Sequence, residues 1–219
     1  MNPIEHASEP AGPGQPADLT AGLDESVLPA DPLVLFDRWM ADVLAAELPE
    51  PTAMVLATAS AAGPMARLVL LKSHGADGFT FYTNKTSRKA ADLAEMPRAC
   101  LLFPWHALQR QVIIEGPVTV LSTPESEPYF HSRPRGSQLG AWASRQSTVL
   151  GSRAELEDRY EELSRRWPEG SEVPMPDFWG GYRVRPDTME FWHGRVSRLH
   201  DRFRYRRPDG AWMIERLAP

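Results

Sequence analysis

A chain of 219 residues can bury one sizeable core, and its length requires no second domain. Its formal charge of −5 hides an asymmetry: residues 1–50 hold ten acids against one base, Arg38, leaving 19 acids and 23 bases, or +4, for the rest. Such a body suits a small phosphorylated ligand better than nucleic acid, which calls for a stronger basic stripe; one cysteine, Cys100, excludes an intrachain disulfide or thiolate zinc cluster and fits a cytoplasmic protein, and no run reaches the roughly 18 apolar residues of a membrane span.

Residues 1–28 carry four of the prolines, several glycines and acids, and few large apolar groups, so they read as a flexible acidic arm ahead of a single domain over 29–219. Asp31-Pro32 is an N-cap followed by proline at the first helical position, and Phe36, Trp39, Met40, Val43 and Leu44 follow at helical spacing. From Thr52 the texture becomes short β-rich runs: TAMVLATAS, MARLVLLKS and FTFYT, separated by Gly63-Pro64 and HGADG. After a helix over TSRKAADLAEM come RACLLFPW and QVIIEGPVTVL, with Gly116-Pro117 marking a bend or bulge. Five closely spaced strands with few helices point to an antiparallel barrel. Thr123 to Trp167 reads as helix in two pieces, with a capping box at Ser152 and Glu155. Strands then return, and Asp209-Gly210 sets a closing hairpin.

Three stretches carry candidate chemistry. ARLVLLK places Arg67 and Lys72 at opposite parity, so on a regular strand they face different sides and could serve two anions; solvated strand ends are the plainer reading. FYTNKTSRK puts Thr83, Asn84, Thr86, Ser87, Arg88 and Lys89 where a strand opens into a helix, which makes a phosphate cradle or an ordinary cap. YFHSRPRGSQLGAW gathers Tyr129, His131, Ser132, Arg133, Arg135 and Ser137, whose donors match phosphate oxygens. Downstream, EFWHGRVSRLHDR (Glu190–Arg202) combines three arginines, two histidines and a tryptophan, a set suited to a flat anionic ligand. No GxSxG, HExxH, GxxxxGKS or strand-borne GxGxxG motif is present, which argues against hydrolase, metalloprotease, P-loop and Rossmann readings.

Taken together, RLVLLK, FYTNKTSRKAADL, LLFPWHALQRQV, YFHSRPRGSQLGAWAS, FWGGYRV, the 190–202 segment and the closing RLAP resemble the pyridoxamine 5'-phosphate oxidase family, in order from about Leu28 to Pro219. The resemblance implies a mainly β fold with flanking helices, a split β-barrel of the six-stranded antiparallel FMN-binding type, and a homodimer with FMN at its interface. It implies oxidation of pyridoxamine or pyridoxine 5'-phosphate to pyridoxal 5'-phosphate, with O2 as acceptor and H2O2 as product. FMN contacts would fall to Arg67, Leu68, Val69, Leu70, Leu71, Lys72, Tyr82, Thr83, Arg88, Lys89, Gln111, Gln146, Ser147, Trp192 and Arg202. The substrate would be bound by Lys72, Tyr129, Arg133 and Ser137 at its phosphate and by Arg198, Leu199 and His200 at its ring, with Arg198 and His200 as the catalytic pair. No metal, membrane or nucleic-acid partner is implied.

The chain departs from that pattern at Gln15–Asp18, where QPAD stands in place of the Arg-Arg-x-Tyr-like stretch that folds over the substrate. Two other readings fit the same fold. A relative oxidising a phenazine-type metabolite would have no use for the Lys72, Tyr129, Arg133 and Ser137 clamp, and a non-catalytic flavin or pyridoxal phosphate carrier would show no turnover.

Overall fold

The computed structural model describes residues 22–219, and its first helix, α1 (Pro32–Ala45), begins as the sequence predicts. The Asp31 side chain accepts a hydrogen bond of 2.9 Å from the Leu33 N–H, satisfying one of the donors a helix start leaves free. Asp31→Ala is expected to lower the unfolding free energy by about 1 kcal/mol, read as a shifted urea midpoint at constant slope. The helix buries Leu35, Phe36, Trp39, Met40 and Val43; Leu44, expected on that face, is 54% exposed and Leu35 takes its place.

Ten antiparallel strands follow where the sequence alone suggested five in the first half and a few more after it: β1 (Ala53–Ser60), β2 (Gly63–Leu70), β3 (Ser73–Gly75), β4 (Gly78–Asn84), β5 (Arg98–Phe103), β6 (Arg110–Val120), β7 (Trp179–Val184), β8 (Thr188–His193), β9 (Asp201–Arg206) and β10 (Met213–Arg216). One path runs β10-β9-β8-β6-β5-β1-β2, and a branch leaves β6 through β7 and β4 to β3. The switch lies at Gly116-Pro117, where the bend was expected: Arg110–Glu115 pair with β8, and Val118–Val120 pair with β7. Because the path ends on β2 rather than closing, the barrel is split. Its core is aromatic at the α1 end, where Phe36 meets Phe79 and Phe103 edge-on at 5.0 and 5.1 Å.

Helix α2 (Arg88–Glu95) sits between β4 and β5. The stretch expected as two helical pieces holds three, α3 (Thr123–Ser132), α4 (Arg135–Ala143) and α5 (Arg153–Arg166). Pro134 explains the extra break, since it denies Arg133 a helical backbone, and Arg133 is extended with ψ 148. The expected arm reaches the described region only through residues 22–28, and these are held rather than loose. Leu23 N–H donates to Asp201 at 3.1 Å, Glu25 pairs with Arg216, and Leu23 and Leu28 pack on the core. The QPAD stretch lies outside the described residues.

Candidate active site

The end of β2, the β4–α2 junction, α3, α4 and the start of β7 enclose a cavity of about 710 Å3. Five cations line it, Arg67, Lys72, Arg88, Lys89 and Arg133, and no carboxylate does. Leu68, Val69, Leu70, Tyr82, Thr83, Tyr129, Ser137, Gln146 and Ser147 complete the set of expected residues that meet here. The parity expectation for Arg67 and Lys72 fails for a simple reason. The strand ends at Leu70, so the alternation that would send them to opposite faces stops before Lys72, and both face one cavity. Leu71 is the exception in the run from Arg67 to Lys72: it is 5% exposed and packs into the core.

The cradle read at the strand-to-helix junction forms, and Gln146 and Ser147 join it from the far side. Lys89 Nζ donates to Thr83 Oγ1 at 3.1 Å, Ser87 Oγ at 3.3 Å and Gln146 Oε1 at 2.8 Å. The Arg88 N–H donates to Ser147 Oγ at 3.2 Å, and Ser147 holds a left-handed φ of 75°. Every partner of this buried ammonium is neutral. Burial, with the nearby Arg67 charge adding to it, brings Lys89 down to about 8. Arg67 itself is held from behind: its Nη1 donates to Thr58 Oγ1 at 2.6 Å and its Nη2 lies 3.4 Å from Asp92. The Thr58 hydroxyl, first, and Arg67 keep the Asp92 carboxyl below its usual range.

An aromatic wall faces the cradle. Tyr82 stacks on Tyr129 at 4.2 Å and on Trp179 at 5.3 Å, and Lys72 Nζ lies 5.8 Å over the Tyr129 ring. The Arg133 guanidinium sits 4.9 Å over Trp179 and 5.7 Å over Phe130. Its Nη1 is buried without a hydrogen-bond partner, and burial lowers its proton affinity. A desolvated cation with an open donor fits an anionic oxygen, which completes what the protein leaves unsatisfied. Trp179 was not among the expected site residues. The signal for it was Gly180-Gly181 beside it: a Cβ at Gly181 would lie 2.9 Å from the Tyr82 ring, so the pair lets Tyr82 close onto β7.

The remaining expected residues gather elsewhere. Gln111, Trp192 and Arg202 are direct cross-strand neighbours on β6, β8 and β9, forming one row. The Trp192 ring lies 4.7 Å from that of His200, whose Nδ1 accepts from the Arg195 N–H at 3.0 Å, and Arg202 pairs with Glu190 at 2.8 Å. Arg198 and Leu199 project beside this row and are exposed, and Ser197 and Arg198 hold left-handed φ values of 57° and 61°. Two such residues in succession store strain of the kind functional loops retain. None of this second group lines the cavity. Three strands separate β8 from β2, so Trp192 stands about 19 Å from the β2 residues along the sheet.

Comparison with known proteins agrees with this architecture. A family model described as pyridoxamine 5'-phosphate oxidase matches residues 40–166, and one described as the pyridoxine 5'-phosphate oxidase C-terminal dimerisation region matches residues 179–219. A pyridoxine/pyridoxamine 5'-phosphate oxidase of Salinispora arenicola is 56% identical over 205 residues, covering 93% of this chain and 92% of its own. The crystal structure of PhzG from Burkholderia lata, in complex with tetrahydrophenazine-1-carboxylic acid, superposes with a TM-score of 0.85 at 32% identity, covering 91% of this chain and 99% of its own. A pyridoxamine 5'-phosphate oxidase-related, FMN binding protein of Nostoc punctiforme shares the fold alone, with a TM-score of 0.69 at 16% identity, covering 88% of this chain and all of its own. With more than half its length matched by the first model and the split barrel and cationic cavity in place, the chain belongs to the pyridoxamine 5'-phosphate oxidase family.

Proposed function

We propose that the protein oxidises pyridoxamine 5'-phosphate and pyridoxine 5'-phosphate to pyridoxal 5'-phosphate, using FMN and O2 and releasing H2O2. The observation that carries this reading is the carboxylate-free cavity with five cations, among them a buried Lys89 and an Arg133 whose Nη1 is buried without a partner, facing a stacked aromatic wall. Two phosphates and two flat rings suit it. Lys89, Thr83, Gln146, Ser147, Arg88 and Arg67 hold the FMN phosphate end, and Leu68, Val69 and Leu70 flank the cofactor along β2. Lys72, Tyr129, Arg133 and Ser137 clamp the substrate phosphate.

Bound FMN supplies the redox chemistry, a two-electron oxidation of the substrate carbon bearing the amine or hydroxyl. The protein supplies orientation. Gln111, Trp192 and Arg202 belong to the same cofactor site and Arg198 and His200 to the same substrate, yet none of them lines the cavity, and Trp192 is four strand spacings from β2. A second copy resolves the distance: its row faces this chain's cavity, so the working unit is a homodimer with FMN at the interface. The exposed apolar residues on both sides support that pairing, Leu68 at 68% on β2 and Val196 and Leu199 at 86% and 71% flanking Arg198. PhzG shares the fold, but a substrate without phosphate would leave Arg133 Nη1 unsatisfied, so the phosphorylated substrate is the better match.

The test is an absorbance spectrum of the purified protein with and without pyridoxamine 5'-phosphate under air. Flavin bands, formation of pyridoxal 5'-phosphate and H2O2 release are expected; an FMN-loaded protein that leaves the substrate unchanged overturns the reading. A second expectation concerns pH. With Lys89 at about 8 in the empty site, an anion that raises its proton affinity is bound with proton uptake at higher pH. FMN affinity for the apoprotein therefore falls as pH rises above about 8, with a limiting slope of about one decade per pH unit. Quenching of flavin fluorescence measures it, and Lys89→Met should weaken binding and flatten the profile.

A further inference from the structure

A larger cleft, of about 890 Å3, lies at the barrel seam and shares no residue with the candidate active site. Ala76 and Asp77 of the β3–β4 turn, Pro117 and Thr119 of β6, Arg183 and Arg185 at the end of β7, Asp187, and Arg207, Pro208 and Gly210 of the closing hairpin surround it. Three guanidiniums therefore meet two carboxylates, and the carboxylates answer little of their charge. Asp187 is taken by Arg98 at 2.9 Å, and Arg183 leans on Glu125 at 3.3 Å. Arg185 and Arg207 have no carboxylate partner among the described residues; Arg207 instead lies 4.8 Å over the Trp212 ring.

The floor beneath these arginines is rigid. Arg185 N–H donates to Pro117 O at 3.0 Å, Asp187 N–H to Glu115 O at 2.8 Å, and Arg207 N–H to Asp187 O at 3.3 Å. Two glycines make that fit possible: a Cβ at Gly78 would lie 2.3 Å from Val184 O, and one at Gly116 would lie 1.8 Å from Arg185 O. Backbone held this closely fixes where the Arg185 and Arg207 side chains start, and guanidiniums without a carboxylate partner are open to bidentate phosphate binding.

We propose that this seam cleft is a second anion site, which takes a small phosphate monoester carrying a hydrogen-bond donor. Arg185 and Arg207 bind its phosphate, and Asp77 accepts from its donor end. The site requires no turnover, so its test stands apart from the oxidase reading.

The test counts phosphate sites on the FMN-loaded protein by equilibrium dialysis against labelled O-phosphoethanolamine, with ethanolamine and inorganic phosphate as controls. Two classes of site per chain are expected, with inorganic phosphate binding more weakly and ethanolamine not at all. The Arg185→Ala/Arg207→Ala variant should lose one class, at least tenfold in affinity, while keeping FMN content and oxidation of pyridoxamine 5'-phosphate unchanged. Arg185→Gln alone, an exposed change that removes no packing, should weaken the same class severalfold. A single class abolished by Arg133→Ala overturns the proposal, as does a second class that survives both seam variants.

Discussion

Replacing Arg133 with alanine should raise KM for pyridoxamine 5'-phosphate about 10- to 100-fold while leaving kcat within about threefold, because a charge-assisted hydrogen bond contributes roughly 1.5–3 kcal/mol and this one acts equally on bound substrate and transition state. The structure explains why the effect is large. Arg133 Nη1 is buried and unpartnered, and aromatic faces rather than a carboxylate hold the guanidinium, so its charge reaches the ligand unquenched. Trp179 then becomes a positioning residue acting through Arg133. Trp179→Leu should raise KM severalfold with kcat retained, and Trp179→Phe, which keeps a ring face, should restore most of it. Steady-state kinetics on the FMN-loaded variants measure both, and an unchanged KM in Arg133→Ala refutes the clamp.

Arg198→Ala should act on the other kinetic constant, lowering kcat by about 100-fold with FMN content intact, the order expected when a reacting group loses its alignment. Arg198 sits at the tip of a strained turn, with Ser197 and Arg198 both left-handed, next to the Trp192–His200 pair. Strain there, of order 1–3 kcal/mol per residue, is retained only where the turn's exact direction matters. Stopped-flow reduction of the bound flavin under anaerobic conditions reads the step directly. Equal reduction rates in wild type and variant would remove Arg198 from the chemistry, and absence of reduction in both would favour a carrier.

Periodicity and turn chemistry made much of this legible in advance. The α1 cap, the β1–β2 pair, the switch at Gly116-Pro117 and the closing hairpin each rest on short-range signals, and each appears where those signals lie. Thr123–Trp167 reads as two helical pieces where the structure has three, because a single proline between two helical stretches marks either a kink or an end. Composition places the end of the arm at residue 28 because it cannot see that Leu23 and Glu25 find Asp201 and Arg216, 178 and 191 residues away. At the site, the cradle residues were legible because they are contiguous. Trp179 was not, because its role depends on Arg133 and Tyr129 reaching it from α3 and the turn beyond. Nor could sequence order reveal that the expected residues form two groups, a fact of strand order alone.

That strand order has a cellular consequence. β2 ends the sheet with no strand on its outer side among the described residues, and it carries Leu68 and Leu70 exposed. Free edges are usually blunted with charge or proline, but a strand that, on the proposed function, lies against a flavin and a second chain cannot be defended that way. Its protection has to come from being occupied. Newly made chains are therefore most vulnerable to aggregation and proteolysis before they dimerise and load, and their abundance should follow the supply of flavin in the growth medium as closely as it follows transcription.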